Sequence, residues 1–289
     1  MTADKKRPPR SPPRGGAAAE GTSLAAAPAG GKRTPAPLLR KDAYLQSLEK
    51  GLAVLNAFTV DTPELSIADI AERTGQDRAS ARRAVLTLTH LGYTRQAGKK
   101  FSLTPRVLTF GYHYLGALPF WAAAYPVLEA LSDELNETVS IGVLDATEVV
   151  FVLRVPAKRF LTFDSSIGSR VPAHLHSIGH LLLAALPDDD LDAYLDQVEL
   201  SPVTPFSITG KAELREQILA ARRQGWSLTS RQYEENYCGI AVPLADGAGR
   251  AIAALNVSLV VDRDAGRRAT EDILPRLRLA AKRIRQPRA

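Results

Sequence analysis

The chain has 289 residues, 45% hydrophobic and 24% charged, enough for two domains with real cores and ordinary for a soluble protein. A single cysteine, Cys238, excludes an intramolecular disulfide and a cysteine-rich zinc cluster, and no apolar run approaches the roughly 20 residues that span a bilayer. The formal net charge is +6, and the basic start is followed only by scattered Ala, Gly and Pro around Glu20, which argues against a secretory signal and for a cytoplasmic chain.

Residues 1–41 hold nine Lys and Arg against Asp4 and Glu20, a balance of +7, so the rest of the chain is close to neutral. With seven prolines and almost no large apolar side chains, this stretch is expected to be a disordered basic tail. It reads either as an arm that attracts phosphates non-specifically or as an extension with no role.

From Tyr44 the pattern turns helical. Leu48, Leu52, Leu55 and Phe58 recur at three or four residues, and the helix is expected to end near Asp61 and to form one side of a small core. A second helix over residues 66–74 starts on a hydroxyl cap, places Ile67, Ile70 and Ala71 on one face, and stops at Gly75. Asp77 then caps a third, whose apolar stripe is Ala81, Val85, Leu88 and Leu91. Arg82, Arg83 and Thr87 lie opposite that stripe, with Arg78 and Ser80 in the first turn. Two short helices around a Gly-containing turn, the second carrying Arg and hydroxyls near its N-terminus, suit a reader of the DNA major groove. Residues 93–95 and 101–103 read as a hairpin wing around Gly98, with Lys99 and Lys100 placed for phosphate contact. The alternative is a small helical domain whose arginines are a solvated face.

Residues 104–118 suit an amphipathic connecting helix broken by Pro119. The half from Trp121 onward mixes helical and strand patterns with no repeating βα period, which predicts an α+β domain. Helices are expected over 123–136, 176–186 and 211–224, and strands over 138–144, 149–155, about 161–164, 238–244 and 251–260.

Three stretches of the first half, SLEKGLAVLNAF (47–58), LSIADIAERTG (65–75) and LTLTHLGYTR (86–95), resemble the DNA-binding domain of IclR-type bacterial transcription regulators. DRASARR (77–83) and LTPRVLTFGYHYL (103–115) are similar to the branch that regulates protocatechuate and β-ketoadipate metabolism. In the second half, SIGSRVPAHLHSIGHLLLAALP (166–187), GWSLTSRQYEENYCGIAVPL (225–244) and AALNVSL (253–259) carry the resemblance, which spans about residues 44–286. The family usually has an acidic residue where Ser230 stands and Gly where Asn236 stands, so ligand contacts near those positions transfer less well. Beyond the tail (1–41), which the resemblance does not cover, it implies a winged helix-turn-helix domain (42–104), a linker helix (105–120) that helps form a dimer, and a GAF-like α/β effector-binding domain (121–289) with a ligand pocket on one side of its sheet.

Within that half, His174, His176 and Ser177 sit at a helix start, where N–H groups and the dipole favour a carboxylate; the plainer reading is a capping Ser with two ordinary histidines. Cys238 reads by default as a small buried hydrophobe, and the resemblance makes it pocket wall. Asn256 and Ser258 share one face of a strand and need partners, a ligand being one candidate. Arg154 is placed to pair a carboxylate, from a ligand or from the protein itself.

A competing class is an enzyme with Cys238 as nucleophile and His174 or His176 as base, but no nucleophile elbow, P-loop, glycine fingerprint or metal spacing accompanies it. A structural nucleoid protein would explain the basic arm but not an elaborated second domain. The expectation is therefore a non-enzymatic, ligand-responsive regulator, without cofactor or metal. Its partners would be double-stranded operator DNA, a small carboxylate such as an aromatic acid, and a second copy of itself in a homodimer or dimer of dimers.

Overall fold

The first structural decisions are made by caps. Ser66 Oγ accepts from the Asp69 N–H (3.3 Å) while the Asp69 carboxylate accepts from the Ser66 N–H (2.8 Å), a reciprocal box that fixes the start of a helix. Gly75 ends that helix in the left-handed region (φ 65°), where a Cβ would be strained. Two residues on, the Asp77 carboxylate accepts from the Ser80 N–H at 2.8 Å and starts the next. Asp69 and Asp77 are both held below the usual carboxylate range, chiefly by these hydrogen bonds from backbone N–H groups.

The computed structural model describes residues 44–158 and 166–285. The expected tail (1–41) and the expected strand near 161–164 lie outside the described residues. The N-terminal part runs α1 (Gln46–Asn56), β1 (Glu64–Ser66), α2 (Ile67–Thr74), α3 (Arg78–His90), β2 (Thr94–Ala97) and β3 (Lys100–Leu103), the strands forming an antiparallel sheet in the order β1-β3-β2. This is the expected winged helix-turn-helix, with β1 as an additional strand. Val54, Leu65, Ile70, Val85 and Phe101 are its fully buried centre, each worth about 1.5–3 kcal/mol on burial.

Two expectations for this core fail. Leu48 and Leu52 are 60% and 52% exposed, so the first half of the predicted stripe stays open, while Leu55 and Phe58 pack against the core beside Val54 and Ala57. Leu91 is 47% exposed because it caps α3 and no longer lies under the helix. The exposed leucines border a groove with Ala84, Tyr93 and Phe110. A turn of 3-10 helix (Pro105–Val107) and α4 (Leu108–Gly116) form the linker. Phe110 stacks on Tyr93 with ring centroids 5.6 Å apart, and the Arg106 guanidinium donates to the Leu91 carbonyl at 2.7 Å, tying linker to wing.

The C-terminal part is a six-stranded antiparallel sheet between helical layers. After α5 (Trp121–Leu135) come β4 (Thr138–Asp145), β5 (Glu148–Val155), β6 (Arg170–Pro172), α6 (Ser177–Ala184), α7 (Asp188–Gln197), α8 (Lys211–Gln224), β7 (Ser227–Ser230), β8 (Tyr237–Ala245) and β9 (Ala251–Val260). The short α9 (Ala265–Arg267), a π-helical stretch (Arg268–Ile273) and α10 (Leu274–Arg285) close the chain. Strand order is β6-β5-β4-β9-β8-β7. Strand alternation sorts the side chains. Val139, Ile141, Ile240, Val242, Leu255 and Val257 face α5 and α10, while Phe151, Ala241 and Ala254 face α6, α7 and α8. Glu137, 3% exposed, pairs with Arg268 at 2.8 Å and pins the π stretch to the start of β4. Gly179 is required in α6, because a Cβ there would strike the Ala173 carbonyl.

Candidate functional site

Two surfaces carry chemistry. On α3, Arg78 in the first turn and Arg82, Arg83 and Thr87 further along are all exposed. At 100° per residue, Arg83 falls closest to the line opposite Ala81, Val85 and Leu88, with Arg82 and Thr87 on its flanks. The Thr87 hydroxyl donates to the Arg83 carbonyl (2.9 Å), so it faces outward mainly as an acceptor. Ser80 departs from expectation: it is 5% exposed, turned between α3 and α1, and its side chain is out of reach of a groove. On the wing, Gly98 takes φ 61° at the hairpin tip and Lys99 is exposed beside it. The Lys100 ammonium lies 4.0 Å from the Glu64 carboxylate, both half-exposed, an ion pair of little energy that leaves Lys100 able to turn to phosphate. Arg95, whose Nε donates to Ser102 Oγ at 3.0 Å, is a further exposed cation of the wing that a reading centred on the turn passes over.

The second surface is a cavity on the α6 side of the large sheet. Its floor comes from β4, β5, β8 and β9 through Thr138, Phe151, Arg154, Gly239 and Ser258; its roof is His176 at the start of α6 and the loop from Arg231 to Tyr237. The volume is about 50 Å³, room for a few waters, and the cavity is partly open to solvent. Arg154 lies over the Phe151 ring (5.6 Å), and burial pushes its pKa down against the pull of Tyr237 and Glu234. Burial likewise pushes the Glu234 carboxyl up, Arg154 opposing. A cation and an acid thus share one poorly hydrated space, in which the guanidinium can receive a carboxylate and Glu234 competes for it.

The loop is fixed from behind. Arg231 adopts φ 60°, unusual for a residue with a Cβ, and the Thr204 hydroxyl donates to its carbonyl at 2.7 Å. Ser207 Oγ donates to the Gln232 carbonyl at 2.7 Å, and the Arg231 guanidinium covers the Phe206 ring at 5.0 Å.

Of the expected effector residues, Arg154, His176 and Ser258 border the cavity with their side chains placed to face it. The cap of α6 is His176, whose Nδ1 accepts from the Ile178 N–H at 3.2 Å; Ser177 is therefore not the capping residue. Ser177 and Asn256 are both 0% exposed and lie beneath the floor, bonded to one another (Asn256 Nδ2 to Ser177 Oγ, 2.9 Å). Gly239 marks how close they lie, since a Cβ there would sit 3.0 Å from both groups. His174 does not border the cavity: the 3-10 turn Ala173–Leu175 buries it at 5% exposure, with its carbonyl 2.8 Å from His180 Nε2. Cys238 reaches the cavity only at its main chain, because alternation along β8 places its thiol with Ile240 and Val242 on the α5–α10 side. Burial, with Glu137 and Asp262 nearby, pushes that thiol up to about 11. A thiol kept protonated, on the opposite face of the sheet from His176, is no nucleophile for it.

The loop residues Arg231, Gln232, Tyr233, Glu234 and Tyr237 escape sequence reasoning because a stretch without periodicity gives no sign of which side chains fold inward. Among the described residues, no three His, Cys, Asp or Glu side chains converge to hold a metal ion, and no helix is long and apolar enough to cross a membrane.

Burial pushes His174 down to about 4, His176 to about 3 and His180 to about 4, from an ordinary value of 6.5. The unfolded chain binds protons at these sites between roughly pH 6.5 and 4 and the folded chain does not, so stability is full above pH 6.5 and is lost as pH falls through that window. Thermal melts between pH 7.5 and 4.5 should show a falling melting temperature that His180→Gln makes shallower. A flat profile would contradict the burial of neutral imidazoles.

Comparison with known proteins fits this arrangement. The family profile described as "IclR helix-turn-helix domain" matches residues 47–98, and "Bacterial transcriptional regulator IclR C-terminal" matches residues 112–286. The chain is 37% identical over 241 residues to the "Pca regulon regulatory protein" of Pseudomonas putida, covering 83% of this chain and 82% of that one. It is 35% identical over 252 residues to the "p-hydroxybenzoate hydroxylase transcriptional activator" of Acinetobacter baylyi, covering 86% and 93%. A solved IclR homologue from Microbacterium hydrocarbonoxydans, in complex with 4-hydroxybenzoate, aligns with TM-score 0.74 and 26% identity over 83% of this chain and 97% of that one. With both of its halves matched in order, the chain belongs to the IclR family of bacterial transcriptional regulators and is a regulator, not an enzyme.

Proposed function

We propose that this regulator works in the cytoplasm as a homodimer or dimer of dimers on a pseudo-palindromic double-stranded operator. Its response would be set by a small aromatic carboxylate taken up in the cavity beneath the Arg231–Tyr237 loop. The observation that carries the reading is Arg154, a largely buried cation over an aromatic ring at the edge of a partly open cavity, in a chain that also holds a helix-turn-helix. The relatives named for the pca regulon and for p-hydroxybenzoate hydroxylase, and the solved homologue with 4-hydroxybenzoate, support aromatic-acid catabolic genes as the target. The apolar side chains left open on α1 and α4, Leu48, Leu52, Phe110 and Tyr112, support self-association through the DNA-binding half. In this reading residues 42–104 bind DNA, 105–120 link, 121–289 sense the ligand, and the basic arm of 1–41 adds non-specific phosphate attraction.

The mechanism is linkage. A ligand that binds one arrangement of the effector domains more tightly shifts the spacing of paired recognition helices, and thereby operator affinity. The test is fluorescence anisotropy of the full chain on DNA from its own upstream region, with and without 4-hydroxybenzoate or protocatechuate, beside thermal melts with the same acids. One preferred site with a steep salt dependence, and a melting temperature that rises with an acid, are expected. A panel of aromatic and dicarboxylic acids that moves neither melting nor DNA affinity would overturn the ligand assignment.

A further inference from the structure

The start of the linker reaches back to the end of the recognition helix. Three consecutive carbonyls there accept from two residues: Arg106 Nη1 donates to Leu91 (2.7 Å), Thr104 Oγ1 to Gly92 (2.6 Å) and the Thr104 N–H to Tyr93 (2.9 Å). The Arg106 cation also meets the negative end of the α3 dipole. Gly92 leaves room for it: φ is 81°, and a Cβ at that position would lie 3.1 Å from Arg106 Nη1. The Arg106 guanidinium lies over the Tyr93 ring at 5.2 Å, and Phe110 stacks on the same ring. At the other end of α4, Leu115 and Leu118 pack against the core of the effector half, while residues 109–114 are all exposed. The helix is thus a short rod fastened at its two ends.

We propose that Arg106 is the positioning residue that carries ligand state to the DNA-reading helix: by gripping Leu91 it makes the first turn of the linker part of the α3 unit, so that α4 cannot turn and leave α3 behind. This rests on the reading of the chain as a ligand-responsive, dimeric regulator. A rigid element passes on a displacement only where both of its joints are stiff. Thr104 fixes the point where the chain leaves the wing, and the chain beyond it is free to swivel about that point. Phe110 meets Tyr93 through a ring face, which permits sliding. Among the described residues, Arg106 makes the one hydrogen bond between the helical part of the linker and the end of α3, a charge-assisted bond to a carbonyl whose direction the helix sets. Its side chain is exposed and lies outside the buried core of Val54, Ile70 and Val85, so its loss loosens the joint and leaves the domain folded.

The test uses the full chain and its preferred upstream site, with Arg106→Leu and Arg106→Lys. Anisotropy titrations with and without 4-hydroxybenzoate or protocatechuate give the factor by which the acid changes site affinity, roughly 5- to 150-fold for an ordinary allosteric coupling. In Arg106→Leu that factor should collapse to within about three-fold, and by reciprocity the acid should bind the free and the DNA-bound variant equally well. Arg106→Lys should recover part of the factor, since an ammonium still donates to the Leu91 carbonyl but does not lie flat on Tyr93. A second arm needs no acid. Moving the half-sites apart by one base pair should cost the unaltered chain roughly ten-fold or more in affinity, the scale of one mismatched pair, and cost Arg106→Leu much less. A leucine variant that keeps the full acid factor or the full spacing penalty, however much weaker it is on every DNA, would make Arg106 a phosphate contact and overturn the inference. Where neither acid changes the site affinity of the unaltered chain, the effector reading fails and the spacing arm decides the inference by itself.

Discussion

Exchanging Arg154 for methionine is expected to abolish the response to carboxylate effectors, with a loss of about 2–5 kcal/mol in their binding free energy. The size of the effect follows from where the charge sits. Arg154 is largely buried over the Phe151 ring, and the carboxylate it would receive leaves water for a space of about 50 Å³ roofed by His176 and the Arg231–Tyr237 loop. Without that guanidinium the incoming anion would face Glu234 and neutral polar groups, with the remaining cation of the lining, Arg231, engaged over the Phe206 ring, so its desolvation would be poorly compensated. Methionine keeps the unbranched apolar stem and loses the guanidinium over Phe151, so the packing of the stem is preserved while the charge is removed. Arg154→Lys should recover only part of the affinity, because an ammonium cannot bind a carboxylate bidentately. Calorimetric titration with the tightest-binding hydroxybenzoate measures both. Unaltered affinity in Arg154→Met would move the carboxylate subsite elsewhere in the cavity.

The same residue shows what is legible in the amino-acid sequence. Arg154 ends a hydrophobic strand, and a cation in such a place needs an anion, so strand pattern and charge are enough to single it out. The helix-turn-helix is equally legible, because Ser66, Gly75 and Asp77 act through local geometry that their side chains alone decide. What periodicity does not give is the side of an element that finds cover. Leu48 and Leu52 have perfect helical spacing and remain exposed, while Leu55 and Phe58 of the same stripe pack beside Val54 and Ala57. Parity on a strand does carry that information for Cys238: its neighbours Ile240 and Val242 share its face, and that face belongs to the core against α5 and α10. The short β1, β6 and β7 escape because three or four residues hold too little alternation to register. Helix α7 has no counterpart among the expected helices, although its run of Asp188, Asp189 and Asp190 in the first turn favours a helix start. The loop over the cavity is invisible for a different reason. Its path is decided by Thr204 and Ser207, far upstream in the chain, through bonds to the Arg231 and Gln232 carbonyls.

Replacing Arg83 with alanine is expected to weaken binding to the specific DNA site by about 1–3 kcal/mol and to relax base preference at one position, without unfolding the domain. Arg83 is exposed and projects from α3 closest to the line opposite the buried Ala81, Val85 and Leu88, so its removal leaves the core of Val54, Ile70 and Val85 untouched. Arg82 lies on the flank of that face, and if it meets phosphates and no base edge, Arg82→Ala should weaken specific and random DNA alike and lower the salt slope by about one. Lys99 and Arg95 on the wing belong with Arg82 in this respect, since a hairpin tip carrying cations reaches phosphates first. Ser80→Ala separates contact from packing: the side chain is 5% exposed against α1, so it should alter the melting temperature more than DNA affinity. Anisotropy titrations on the preferred site and on random DNA, each at two salt concentrations, read all of these together. An unchanged dissociation constant for Arg83→Ala at fixed salt would remove α3 from the base-reading role and shift attention to the wing.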